Sequence, residues 1–218
     1  MSEFTLVIGN KNYSSWSLRP WLAMTVAGIA FDEIVVPLRQ ADTAARIAEH
    51  TAAGKVPVLK HGALTVWESI AILEYLAELF PKAQLWPEDR EARAVARAAA
   101  GEMHAGFAPL RTHMPMNLRA SKPGRGRTPE VETDIARITA LWSDCRARYG
   151  QGGPFLFGAF SNADAMYAPV ATRFATYGVE LDGPAGDYAR TLLEMPAMIE
   201  WYAGAALEPW QMADNDNA

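Results

Sequence analysis

The chain of 218 residues contains a single cysteine, Cys145, so no disulfide bond can form within it. This excludes a disulfide-stabilised secreted domain and is typical of a protein from a reducing cytoplasm. The four histidines do not lie at metal-ligand spacing from one another or from Cys145, so the sequence indicates no metal site. No apolar run approaches the roughly 20 residues needed to cross a membrane, and the N-terminus lacks the pattern of a signal peptide. We therefore expect a cytoplasmic protein without membrane association.

Strong positive charge is also missing. The net charge is −5, and the basic residues around Arg119, Lys122 and Arg125 lie in a Pro/Gly-rich stretch without interleaved aromatics. This composition predicts a solvated loop and argues against nucleic-acid binding. The sequence has no G-x-S-x-G, no phosphate-binding P-loop and no G-x-G-x-x-G. It therefore gives no sign of an α/β-hydrolase, a P-loop nucleotidase or a dinucleotide-binding enzyme.

The first part of the chain, residues 1–81, alternates between strand and helix patterns. The predicted strands and helices are, in order, Phe4–Ile8, Ser15–Ala27, Phe31–Pro37, Thr43–His50, Val56–Leu59, Leu64–Val66 and a helix that begins near Glu68. The order is βαβαββα, which predicts an open sheet flanked by helices.

Strand patterns end after residue 81, and residues 88–218 are predicted to form an all-helical domain. Its long helices are predicted at Glu88–Leu118 and Thr128–Tyr149, and Ser161-x-x-Asp164 has the pattern of a capping box that begins a further helix. The polar tail Ala213–Ala218 is predicted to fray. The fold class is thus α/β followed by all-α, with the boundary near residue 82.

Two short segments of the first domain have features of a ligand site. Pro57 interrupts the start of a strand and removes one backbone donor, which leaves the backbone beside it free for other contacts. Glu68 and Ser69 come where a helix begins, and a carboxylate and a hydroxyl there suit a ligand with both an ammonium and a carboxylate. The alternative is a capping box, Thr65-x-x-Glu68, which only caps the helix.

A third candidate segment is the turn Tyr13-Ser14-Ser15-Trp16 between the first strand and the first helix. Hydroxyls at this position can donate a hydrogen bond to a thiolate and so lower the pKa of its thiol. Ser14 or Ser15 could equally serve only as the N-cap of the helix. Because this turn contains no cysteine, we expect no thiol–disulfide exchange through the protein.

Three motifs, in this order, together resemble the cytosolic glutathione transferases over essentially the whole chain. The segment Ala53–Leu59 is similar to the family's loop with a cis-proline, Glu68-Ser69 to its glutathione-holding pair, and Phe157–Asp164 to the capping motif of its helical domain. The resemblance implies a thioredoxin-like N-terminal domain followed by a helical domain. It also implies glutathione as co-substrate, with no metal.

Within that family, the turn is most similar to the serine-type classes, zeta and tau, which implies Ser14 as the residue that activates the thiol. Ser15 and Tyr13 are the alternatives. Trp16 replaces a zeta cysteine, and Thr176 stands where zeta isomerases carry a substrate-binding arginine. These two departures from the zeta pattern argue against maleylacetoacetate isomerisation.

The resemblance also assigns roles to the remaining residues. Val56 and cis-Pro57 are expected to hold the cysteinyl backbone of glutathione, Lys55 the glycyl carboxylate, and Glu68 and Ser69 the γ-glutamyl end. The electrophile pocket is predicted to include Trp16, Phe107 and Met114. We expect a homodimeric transferase that acts on a small hydrophobic electrophile. The alternatives are a glutathione-dependent peroxidase or isomerase, or a non-catalytic ligand-binding protein.

Overall fold

The structure is a computed structural model in which residues 2–217 are described. Its first part contains four strands and three helices in the predicted order: β1 (Phe4–Ile8), α1 (Ser15–Val26), β2 (Asp32–Val35), α2 (Thr43–Ala48), β3 (Val58–His61), β4 (Leu64–Trp67) and α3 (Ser69–Leu79). The predicted βαβαββα order is therefore confirmed, although β2 and α2 are shorter than expected because their terminal residues lie in the connecting loops.

The four strands form one mixed sheet with the order β2-β1-β3-β4. β1 is parallel to β2 and antiparallel to β3, and β3 is antiparallel to β4. In this register Val58 lies opposite both Val7 and Trp67. The end of β1, the start of β3 and the end of β4 therefore lie next to one another, on the side of the sheet where these strands end. The loops that carry the predicted site residues emerge on this side.

The rest of the chain is helical. After a 3-10 turn at Pro81–Ala83 come α4 (Arg90–Ala105), α5 (Ala108–His113), α6 (Pro129–Tyr149), α7 (Asn162–Tyr177), α8 (Gly183–Leu193), α9 (Pro196–Leu207) and α10 (Ala213–Asn217). Within residues 2–217, no helix combines the length and apolar character needed to cross a bilayer.

One helix boundary in this part was predicted wrongly. The single helix expected over Glu88–Leu118 is broken at Gly106 and Phe107, and Phe107 has a left-handed backbone with φ 55°. The reason is Pro109, whose ring would clash with the carbonyl of residue 105 in a continuous helix. At the start of a new helix, Pro109 is tolerated because no N–H is needed there. The apolar pattern continues across the break and so did not reveal it.

The basic loop and the tail also differ from expectation, because they contact each other. The Arg119 guanidinium donates to the carbonyl oxygen of Trp210 over 2.8 Å, and Lys122 Nζ donates to the carbonyls of Asn215 and Asp216 over 2.9 Å. The loop is thus not simply solvated. Its cations satisfy carbonyl groups of the tail, which forms the short helix α10 instead of fraying.

The capping box that begins α7 is confirmed. The Asp164 carboxylate accepts hydrogen bonds from the backbone N–H groups of Ser161 and Leu156 and from the Tyr188 hydroxyl, over 2.8 to 3.1 Å. Burial raises the pKa of Asp164 to about 6 despite these donors. α7 is buried along nearly its whole length and packs against α1 and α4. It therefore joins the helical part to the first turn of α1.

Candidate active site

A cavity of about 500 Å³ opens at the strand ends where these loops converge. Its size is within the range of small-molecule sites. Its lining includes all five residues predicted to bind glutathione and one predicted for the electrophile: Lys55, Val56, Pro57, Glu68, Ser69 and Trp16. Ala53, Trp67 and His104 complete the lining. The structure thus brings together segments of the sequence that extend from Trp16 to His104.

Pro57 follows a cis peptide bond, as predicted. It immediately precedes β3, whose first residue, Val58, is paired on both sides in the sheet. Val56 lies before these paired residues and lines the cavity. Its backbone is therefore in a position to meet an extended ligand at the end of the strand.

Glu68 and Ser69 form the wall opposite this loop. Glu68 precedes α3 with φ 71°, and its side chain is 48% exposed. Ser69 is the first residue of α3 and is 1% exposed, but its hydroxyl has no hydrogen-bond partner among residues 2–217. A buried polar group without a partner is costly, so this hydroxyl is an available donor or acceptor in the cavity.

The alternative capping box at Thr65 is not formed. Thr65 lies within strand β4, and α3 begins four residues later, at Ser69, without a side-chain cap. The strand pairing of Thr65 with Lys60 takes precedence over the local capping pattern. Glu68 is thus free of a capping role, and its carboxylate approaches His104 Nε2 at 3.7 Å.

The three candidate hydroxyls for thiol activation have different surroundings. The Ser14 hydroxyl donates to Ser17 Oγ over 2.8 Å, and Ser17 Oγ also accepts from the Gly9 N–H. The Ser15 hydroxyl accepts from the Arg173 guanidinium over 3.1 Å.

The Tyr13 hydroxyl contacts the Asp216 carboxylate at 2.9 Å, on the tail of the chain. None of these three residues lines the cavity itself, which reaches this turn at the next residue, Trp16. The surroundings thus separate Tyr13, which is bound to the tail, from the two serines at the helix start.

Trp16 lies among cationic and aromatic side chains. Its ring makes a T-shaped contact with His104, with centroids 5.3 Å apart, and the Arg19 guanidinium lies 4.0 Å from the ring centre. Arg111 approaches the same ring at 5.5 Å. Such cation–π contacts hold an aromatic ring in place. Trp16 is thus a fixed wall of the cavity, and its place in an electrophile pocket stays a prediction.

His104 is the ionisable residue of the cavity lining that the sequence did not reveal. It lies in the last turn of α4, lines the cavity, and has a buried Nδ1 without a partner in the described part of the chain. Burial, followed by the nearby charge of Arg19, lowers the pKa of His104. The imidazole is therefore neutral at pH 7. No spacing in the sequence could have identified it, because it meets Glu68 only through the fold.

The other two residues predicted for the electrophile pocket are not found in the cavity lining. Met114 is fully buried and Phe107 almost so, and both belong to the main hydrophobic core. Cys145 is also buried, and burial raises the pKa of its thiol to about 11. It is therefore a protonated, structural thiol at neutral pH. Residues 2–217 contain no cluster of three or more side chains suited to hold a metal ion.

The chain is similar to known proteins in sequence and in fold. The family described as "Glutathione S-transferase, N-terminal domain" matches residues 13–79. A probable maleylacetoacetate isomerase of Caenorhabditis elegans is 31% identical over 129 residues, which cover 59% of this chain and 60% of that protein. Glutathione S-transferase 1 of Dianthus caryophyllus is 31% identical over 51% of both chains. The chain thus spans about half the length of the curated relatives it matches.

Solved structures extend the similarity to nearly the whole chain. A glutathione transferase homolog from Burkholderia, with bound glutathione, has a TM-score of 0.69 at 22% identity and covers 94% of this chain and 99% of its own. A tau-class glutathione S-transferase from mango has a TM-score of 0.68 at 18% identity, with 93% and 96% coverage. At these identities the similarity shows the fold, a thioredoxin-like domain followed by a helical one. The matched family model adds that residues 13–79 are similar to the N-terminal domain of glutathione S-transferases.

Proposed function

We propose that the protein is a glutathione-dependent transferase and that its cavity binds glutathione. The observation that carries the proposal is the buried Ser69 hydroxyl without a partner, at the N-terminus of a helix and beside the Glu68 carboxylate. The helix N-terminus and the hydroxyl favour the γ-glutamyl carboxylate, while Glu68 attracts the ammonium on the same carbon.

The rest of glutathione follows along the cavity wall. The cysteinyl backbone would lie beside the backbone of Val56, before cis-Pro57, in a short strand-like contact. The exposed Lys55 would attract the glycyl carboxylate. This orientation directs the cysteinyl sulfur toward the first turn of α1, since Trp16 of that turn lines the same cavity.

A serine hydroxyl of this turn, Ser14 or Ser15, would stabilise the thiolate. Donation of a hydrogen bond to an anion favours the thiolate over the thiol and lowers the thiol pKa. The thiol proton passes to solvent, and the thiolate then attacks a small hydrophobic electrophile held against Trp16 and His104. With an aryl halide, the carbon–sulfur bond forms, the carbon–halogen bond breaks and the halide ion leaves to solvent. Tyr13 is less suited to this role because its hydroxyl contacts Asp216.

Isomerisation is the second candidate function, since relatives named maleylacetoacetate isomerase match this chain at 31 to 33% identity. Thr176 is the position at which the resemblance expects a zeta arginine. It is buried, and its hydroxyl donates to the Asn117 carbonyl. Arg173 lies one turn earlier on the same helix. A glutathione-dependent cis–trans isomerisation assay on a maleyl substrate tests this alternative.

We also propose a homodimer in the cytoplasm. The apolar side chain of Leu64 is 46% exposed on β4, which is an outermost strand of the sheet. Exposed apolar surface of this kind is typical of an interaction face. Sedimentation of the wild type and of Leu64→Ser checks the expected dimer, whose dissociation constant should rise in the variant.

The proposed function is tested by calorimetry with glutathione and by an assay for thioether formation with an aryl halide. We expect saturable binding and a glutathione conjugate. Binding without conversion of aryl halides, hydroperoxides or maleyl substrates would favour the non-catalytic ligand-binding alternative. Absence of glutathione binding by a folded protein would refute the proposal.

A further inference from the structure

Two arginines are buried behind the first turn of α1. Arg19, on α1, is 1% exposed, and Arg173, on α7, is 4% exposed. Among residues 2–217, neither forms an ion pair with a carboxylate. A buried charge without a counter-charge costs several kcal/mol, which is why buried arginines normally have an acidic partner. The burial of these two arginines therefore requires an explanation other than stability.

The hydrogen bonds of the two arginines also leave their charges without a counter-charge. Arg173 donates to the Met114 carbonyl and to Ser15 Oγ, whereas Nε and Nη1 of Arg19 are buried and have no partner in the described chain. Burial lowers the pKa of Arg19 to about 9 and that of Arg173 to about 10. Both remain cations at neutral pH, so the positive charge persists.

The other charged groups around this turn do not neutralise the pair. Arg111, on α5, adds a third cation, and His104, on α4, is neutral at pH 7. Glu68 is half exposed and lies near His104, so solvent screens its charge. The region is therefore net positive, and an anion bound in the cavity would provide the missing negative charge.

Arg173 also orients one of the two serines. Because the Ser15 oxygen accepts from a guanidinium, its own proton remains free to donate, and the nearby cation makes it a stronger donor. The Ser14 hydroxyl is instead paired with the Ser17 hydroxyl. Ser15 directly precedes Trp16, the residue at which the turn meets the cavity.

We propose that Ser15, oriented by Arg173, donates the hydrogen bond that stabilises the glutathione thiolate, and that the buried charges of Arg173 and Arg19 lower the thiol pKa. Arg173 and Arg19 are positioning residues in this arrangement, and the thiol proton leaves to solvent. The inference rests on the proposed function, since it requires glutathione in the cavity. It extends the site to α7, outside the residues that line the cavity.

The test measures the pKa of protein-bound glutathione from the ultraviolet absorbance of its thiolate as the pH is varied. In the wild type we expect this pKa to lie below that of free glutathione. Arg173→Gln and Ser15→Ala should each raise it by about one unit or more, because an opposite charge or a hydrogen bond to the thiolate is lost. Arg173→Lys, which keeps the charge, should raise the pKa of bound glutathione less than Arg173→Gln does. Arg19→Gln should give a smaller shift, because Arg19 does not contact Ser15.

Binding of S-methylglutathione, which cannot form a thiolate, separates this inference from the proposed function. Its dissociation constant should stay within about twofold in all these variants. The control Arg137→Gln, which breaks an exposed ion pair with Glu102, should change neither quantity. Failure of the wild type to bind S-methylglutathione would refute the proposed function itself.

An unchanged thiol pKa in Arg173→Gln with S-methylglutathione binding intact would overturn the inference. A larger shift in Ser14→Ala than in Ser15→Ala would also overturn it and return the role to Ser14. Should Arg173→Gln fail to fold, Ser15→Ala and Arg173→Lys still decide the matter, because neither removes the buried cation.

Discussion

Replacement of Ser69 by alanine should change stability and ligand binding in opposite directions. In the protein without ligand, the Ser69 hydroxyl is buried and has no partner among the described residues, so it carries an uncompensated desolvation cost of about 1–3 kcal/mol. Ser69→Ala removes that cost without creating a large cavity. The free energy of unfolding should therefore rise, and for a chain of this size each kcal/mol corresponds to about 2–4 °C in melting temperature.

Glutathione binding should weaken in the same variant. A hydroxyl that donates to a carboxylate contributes about 1.5–3 kcal/mol, so the dissociation constant should increase by roughly 10- to 150-fold. Calorimetry with glutathione and thermal unfolding without it measure the two effects independently. In the presence of saturating glutathione, the melting temperatures of the two proteins should converge or cross, because the ligand stabilises the wild type more strongly.

Ser161→Ala is the matched control, since Ser161 is also a buried serine at the start of a helix. Its hydroxyl donates to the Asp164 carboxylate over 3.0 Å and is thus already paired. This variant should lower the melting temperature and leave glutathione affinity unchanged. If Ser69→Ala instead lowered the melting temperature and bound glutathione as well as the wild type, the hydroxyl would be structural and the placement of the ligand would be wrong.

Three further predictions concern Glu68, Asp164 and Tyr13. Glu68→Gln should weaken glutathione binding by about 1 kcal/mol, less at high salt, because its carboxylate is half exposed, and Glu78→Gln, on the helix α3 that follows Glu68, should have no effect in calorimetry. The pKa of Asp164 is raised to about 6 in the folded state, so this residue should lower stability as the pH rises from about 4 to 6. Asp164→Asn should remove that slope in denaturant unfolding, and a parallel pH profile of the two proteins would contradict it. Tyr13→Phe should cost about 0.5–1.5 kcal/mol of stability through the lost contact with Asp216 and leave the conjugation rate unchanged in a kinetic assay.

The parts of the fold that the sequence predicted are those specified by neighbouring residues. The strands have short apolar runs, and the capping box of α7 lies within four residues, Ser161 to Asp164. The cis bond before Pro57 was expected because the order of motifs resembled a known family, whereas Glu68 was first proposed as a ligand residue from its place at a helix start. The break at Gly106 was missed because the apolar periodicity of α4 continues into α5.

The parts that the sequence did not predict depend on contacts between distant residues. His104 meets Glu68 across 36 positions, and Arg173 meets Ser15 across 158. No local pattern marks a buried arginine as different from a solvated one, since its burial is decided by which helices pack together. For the same reason, Met114 was assigned to the pocket, although the structure buries it in the core.

The packing of α7 on α1 explains why these missed residues matter for function. Arg173 passes from the helical part of the chain to the first turn of α1, so the environment of Ser15 depends on both parts being present. An arginine pair without a counter-ion is a poor choice for holding two helices together, because apolar side chains of similar volume would be at least as stable. The cost is understandable if the charge acts on a bound anion, since an electrostatic effect on a thiolate requires a fixed, desolvated cation nearby. The α1–α7 contact and Ser69 then reduce stability for the same reason. At both places buried polar groups have no partner in the described chain, and the ligand supplies the partner when it binds.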